Sequence, residues 1–146
     1  MNVCMIYSKI CLDNMKYLSI ILLLLCFNTY GQEWINDSNF DNKINEKNAF
    51  GDNQTLPVIV EFWAEFNDGN KFEEWDKLTD IVYYRADITK CPVAKKKYKV
   101  RMVPTIIIFK EGIKEEIFKA GLDLMLPADL NEIQEAINEV NTASKF

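Results

Sequence analysis

Val58-Ile59-Val60-Glu61-Phe62-Trp63-Ala64-Glu65-Phe66-Asn67-Asp68-Gly69-Asn70-Lys71 is the most informative stretch of this chain. Its first seven residues form an apolar run interrupted only by Glu61, the pattern of a strand covered on both faces. The run breaks at Asn67-Asp68-Gly69, a turn signal. Beyond it, Phe72, Trp75 and Leu78 recur at a helical spacing, which predicts a helix over residues 71–80. The stretch therefore reads as a buried strand that delivers a loop to a helix N-terminus.

Working outward, the same alternation of strand and helix signals continues. Asp37-Ser38-Asn39 ahead of Phe40, Ile44 and Ala49 predicts a capped amphipathic first helix closed by Gly51-Asp52-Asn53. A short strand is expected near Trp34. Residues 81–86 make a second parallel strand, and Pro92 suits the first position of a short helix running to Tyr98. Residues 105–110 and 114–119 flank Glu111-Gly112, a hairpin signal. Pro127 is expected to open a last helix whose stripe is Leu130, Ile133, Ile137 and Val140. The order βαβαββα, after the strand at Trp34, places helices on both faces of a central mixed sheet.

The wording of residues 62–71 resembles the active-site segment of thioredoxin, in which Phe-Trp-Ala-Glu-Trp precedes Cys-Gly-Pro-Cys-Lys. Phe62, Trp63, Ala64, Glu65 and Lys71 match, and Phe66 replaces the second Trp. Val103-Pro104-Thr105, with the apolar residues 106–109, Lys110 and Glu111-Gly112, resembles the family's cis-proline loop and hairpin. Lys119-Ala120-Gly121 resembles its later glycine. The resemblance covers roughly residues 34–140 and implies a thioredoxin-like α/β fold for a domain at residues 32–146. The family's two catalytic cysteines fall on Asn67 and Asn70. Disulfide exchange needs an attacking thiolate and a resolving thiol, and an amide is neither nucleophilic nor redox-active. The resemblance thus implies a family member that is not a dithiol oxidoreductase. Asn67 and Asn70 either keep the helix start in order or form a hydrogen-bonding ligand site.

The resemblance assigns further residues. Glu61 matches a buried acid that relays protons to the resolving cysteine. Without that cysteine it is expected to persist by pairing with a lysine. Phe66, Met102, Val103, Pro104 and Gly121 match a shallow apolar groove, along which a bound peptide runs extended and pairs with the backbone beside the cis-proline. The groove residues remain apolar here, which points to retained binding of a polypeptide or protein partner. The alternative is a monothiol redox protein using Cys91, which precedes Pro92 where a helix dipole would favour thiolate. Lys95, Lys96, Lys97, Lys99 and Arg101 form a basic run that is either a solvated helix face or a lure for an acidic partner.

Bulk composition narrows the function classes. The net charge is −5 and there is no histidine, so general nucleic-acid affinity is not expected, and the commonest metal ligand and general base are missing. No phosphate loop, zinc spacing or Ser-His-Asp set occurs. No cofactor or metal is expected. Residues 1–31 read as an N-terminal extension plus a secretory signal peptide, with the start at Met15, a basic Lys16, an apolar stretch from Leu18 to Phe27, and cleavage between Gly31 and Gln32. That stretch is about half the roughly 20 apolar residues of a spanning helix. The rival readings are an uncleaved anchor and a lipid-modified Cys26, the latter disfavoured by bulky Leu25. Cleavage removes Cys4, Cys11 and Cys26, leaving Cys91 alone in a periplasmic or secreted protein that has no membrane attachment.

Overall fold

The computed structural model describes residues 32–45 and 55–143. The leader expected at residues 1–31, and the helix end expected at Gly51-Asp52-Asn53, lie outside the described residues. Five strands form one sheet: β1 (Glu33–Ile35), β2 (Val58–Trp63), β3 (Val82–Asp87), β4 (Thr105–Lys110) and β5 (Ile113–Lys119). Their spatial order is β1-β3-β2-β4-β5. β1 and β2 run parallel to β3, while β4 is antiparallel to both β2 and β5. Among the described residues three α-helices accompany the sheet, α1 (Phe40–Ile44), α2 (Pro92–Lys97) and α3 (Leu130–Ala143).

The unbroken apolar strands are explained by burial on both faces. Val58, Val60 and Phe62 of β2 point to one side, with Tyr84, Ile107 and Phe109, and pack beneath Phe40 and Ile44 of α1 and Ala94 of α2. Ile59, Tyr83, Ile106 and Ile108 point to the other, where Ile133 and Ile137 of α3 cover them. Helices therefore lie on both faces of a mixed sheet, as the sequence pattern requires. The β4–β5 turn has positive φ at both Glu111 (51°) and Gly112 (78°), the conformation that suits the twist of a tight hairpin. A Cβ on Gly112 would also lie 2.1 Å from Asn45 Oδ1.

Two helical expectations are corrected. Residues 71–80 form no α-helix. The chain makes a 3₁₀ segment at Glu65–Asn70, extends at Lys71 (ψ 153°), and makes a second 3₁₀ turn at Glu74–Lys77. The cause is the backbone of Phe72. Its N–H donates to Glu61 Oε1 at 2.8 Å, and its carbonyl accepts from Arg85 Nη2 at 3.2 Å, so both of its backbone groups are tied to the charge pair of β2 and β3. Phe72 and Leu78 are nonetheless buried, with Trp75 packed beside them. The last helix starts at Leu130, three residues after Pro127. Asp129 caps it, accepting from the N–H groups of Asn131 and Glu132, while Glu132 accepts from the Asp129 N–H. This reciprocal arrangement fixes the start more strongly than the proline does.

Candidate functional site

At the C-terminal end of β2 the chain turns toward two other loops, and Asn67 joins them. Its side chain is nearly buried, at 8% exposure. Asn67 Nδ2 donates to Val103 O at 2.7 Å and to Leu124 O at 2.9 Å, and Asn67 Oδ1 accepts from Asn70 Nδ2 at 2.8 Å. One amide thus clasps the loop after β2, the loop before β4 and the loop after β5. The Val103–Pro104 peptide bond is cis, as the resemblance implied. Asp68, beside the clasp, has its carboxyl held below the usual range by the Lys71 ammonium at 2.9 Å, aided by the Trp63 indole N–H at 3.0 Å. Residues 65–70 are a 3₁₀ segment, with non-helical φ/ψ at Asn67 itself. The α-helical dipole expected here is therefore missing.

Beneath the clasp lies Glu61, fully buried. It pairs with an arginine and not with a lysine. Arg85 Nε lies 2.6 Å from Glu61 Oε2, which also accepts from the Tyr83 hydroxyl at 2.8 Å. Glu61 and Arg85 are register partners on β2 and β3, so the two charges meet across the sheet. Burial raises the Tyr83 pKa well above its ordinary value, and the adjacent Glu61 carboxylate adds to the shift. The cluster holds Phe72 in place, and with it the segment leaving the site.

Of the five expected groove residues, Phe66, Met102 and Val103 line one cleft of about 270 Å³, together with Leu124, Ile88 and Val100. Pro104 adjoins it through the cis bond. Gly121 does not line it. Gly121 sits in the loop after β5, its N–H donating to Met125 O at 3.0 Å. Val103 is buried at 4% exposure, whereas Phe66 is 72% exposed. The carbonyls of the cis-proline loop each accept one internal hydrogen bond. Met102 O accepts from Thr105 Oγ1, Val103 O from Asn67, and Pro104 O from the Ala120 N–H. Leu124 was not anticipated from sequence. The signal was the apolar run Leu122-Asp123-Leu124-Met125-Leu126 directly after Gly121, in which Leu122 is 97% exposed.

The placement of Cys91 weighs against the alternative monothiol reading. It is fully buried, and its Sγ contacts Ile35 O at 3.3 Å. The N-terminus of α2 is occupied by Asp37, whose carboxylate accepts from the Val93 and Ala94 N–H groups at 2.8 and 2.9 Å. Burial, then the charges of Asp37 and Asp87, push the Cys91 thiol up to about 11. Iodoacetamide at neutral pH, followed by peptide mass mapping, is expected to leave Cys91 unmodified in the native protein and to label it fully in denaturant. Fast native labelling of Cys91 would contradict this placement. Among the described residues no group of acidic, cysteine or histidine side chains could hold a metal ion, and no helix is long and apolar enough to cross a membrane.

The family model for thioredoxin matches residues 32–132. The chain belongs to the thioredoxin family. Thioredoxin of Rickettsia prowazekii is 33% identical over 95 residues, covering 60% of this chain and 83% of that relative. Thioredoxin of Rickettsia bellii is 32% identical over 74 residues, covering 46% and 70%. Among solved structures, a mutant thioredoxin from Halobacterium salinarum NRC-1 superposes with a TM-score of 0.56 at 18% identity, over 75% of this chain and 90% of that one. The thioredoxin of Malassezia sympodialis gives 0.53 at 19% identity, over 75% and 90%. At these identities the structural likeness speaks for the thioredoxin fold alone, and what the chain does rests on its own site.

Proposed function

We propose that this thioredoxin-family protein is exported, does not act as a dithiol oxidoreductase, and binds a polypeptide or protein partner at the face formed by Phe66, Met102 and the cis-proline loop. The observation that carries the reading is the Asn67 clasp. The side chain in the place of the attacking cysteine is committed to three internal hydrogen bonds. The cleft beside it keeps an exposed aromatic and an apolar lining. The exposed Phe66 ring and the apolar lining supply the contact surface. No cofactor or metal enters this reading.

Binding is tested with an unfolded probe, reduced and carboxymethylated α-lactalbumin, followed by fluorescence anisotropy. Phe66→Ser is expected to weaken binding by about tenfold or more, the effect of removing an aromatic anchor of about 1.4 kcal/mol or more, with the melting temperature nearly unchanged because Phe66 is mostly exposed. Wild-type protein that fails to bind the probe, or a Phe66→Ser variant that binds it equally, would sink the proposal. Val103→Asp is unsuited to the purpose, since it places a carboxylate in the core. Export has its own readout. The intact mass of secreted material is expected to correspond to a chain beginning at Gln32, and a lipid-modified Cys26 or a retained apolar leader would replace a soluble protein with an attached one.

A further inference from the structure

The cleft beside Asn67 is apolar within but has charge at its rim, and that charge has one sign. Its lining includes Lys95 and Arg101 and no carboxylate. Neither cation has an ion-pair partner among the described residues, whereas their neighbour Lys97 is paired with Asp41 at 2.8 Å. This local excess stands on a chain whose overall charge is −5. Lys95 lies on α2 and Arg101 on the stretch between α2 and the cis-proline loop, so two separate pieces of backbone converge on one side of the opening.

The cleft also limits what can enter. About 270 Å³ falls at or below the ~300–1,000 Å³ of small-molecule and cofactor sites, and is enough for one or two side chains. Val100 and Val103 are buried within it, while Phe66 is exposed and Met102 half-exposed at its mouth. An occupant that inserts one large apolar side chain here brings its flanking residues within reach of Lys95 and Arg101. Like charges there would be repelled, and carboxylates attracted.

Resting on the peptide-binding reading above, we propose that the ligand class of this cleft is an acidic peptide segment bearing one large apolar residue, with Lys95 and Arg101 selecting for its carboxylates. Selection acts through side chains and charge, because Lys95 and Arg101 line the cleft with no carboxylate beside them. Affinity is therefore expected to depend on salt, as interactions at exposed charges do.

The test uses the full chain and short fluorescein-labelled peptides carrying a single Phe, flanked by Glu in one and by Lys in the other. The Glu peptide is expected to bind about three- to tenfold more tightly than the Lys peptide, the range for two exposed charge contacts. That preference should shrink between about 0.05 and 0.5 M salt. In the double variant Lys95→Glu/Arg101→Glu it should vanish or reverse, with the thermal melt unchanged. A Glu peptide in which Phe is replaced by Ser should bind weakly to every variant. Equal binding of the Glu and Lys peptides would overturn the charge selection and leave peptide binding standing. Failure of all peptides, with the unfolded probe also unbound, would overturn both. Tight binding to phosphatidylserine vesicles, lost in the double variant and unaccompanied by peptide binding, would assign the rim to a lipid surface and overturn the proposal.

Discussion

Replacing Glu61 by leucine is expected to lower the unfolding free energy by about 3–5 kcal/mol, the cost of leaving a buried charge without its partner. Arg85 would remain 6% exposed and unpaired, and the Phe72 N–H and Tyr83 hydroxyl would lose their acceptor. For a domain of this size the loss should appear as a drop in melting temperature of more than about 10 °C. The double variant Glu61→Leu/Arg85→Met should recover part of this, since replacing a whole buried pair with apolar residues is often neutral or better. It also releases both backbone groups of Phe72. Far-ultraviolet circular dichroism is then expected to show a gain in helix, as residues 71–80 wind onto the apolar stripe their spacing prescribes. A Glu61→Leu variant that melts with the wild type would show that the cluster is not the fastening described here.

The second large effect concerns chemistry. The wild-type protein is expected to give no acceleration of insulin reduction by dithiothreitol, because Asn67 and Asn70 supply no thiol and Cys91 is buried with a raised pKa. In the variant Asn67→Cys/Asn70→Cys the two side chains already meet, so a disulfide is expected to form in air and to be visible as a small mass loss. The thiol installed at position 67 should titrate no lower than a free cysteine, about 8.5, because the position is nearly buried and a 3₁₀ segment with non-helical angles at its third residue lacks the aligned peptide dipoles that acidify such thiols. Insulin reduction should accordingly be detectable but slow. The same variant loses the bonds to Val103 O and Leu124 O, at a cost of about 1–3 kcal/mol. A strongly acidified thiol, with its pKa below neutrality, would contradict the local geometry, and a wild-type protein that catalyses the reaction would contradict the proposed function.

The strands were legible because burial on both faces leaves an unmistakable mark, the run Val58–Phe62 and its counterpart Ile106–Phe109. The cis-proline was legible only through its neighbours Val103 and Thr105 and the resemblance they support. The helix over residues 71–80 was misread because Phe72, Trp75 and Leu78 do face inward, as helical spacing requires, while their backbone follows other instructions. Those come from Glu61 and Arg85, distant in sequence and joined by strand register, and a single sequence carries no register. A signal was present nonetheless. Two opposite charges each sat within otherwise apolar or aromatic strands, and such residues rarely stay buried apart. The burial of Cys91, which weighs against the alternative monothiol reading, has a related cause. Asp37 stands in sequence where a cap on the helix beginning at Phe40 belongs, but it reaches across the fold to the start of α2 and takes the position that a thiolate would need.

The link between residues 67 and 70 is made of amides, and an amide pair neither gains nor releases electrons. A dithiol at this place would be joined or parted according to the glutathione or oxidant around it, and the three loops that meet there would follow. In this chain their arrangement is indifferent to reduction potential. A reducing and an oxidising compartment would therefore meet the same face, and heat or denaturant rather than electrons would undo it.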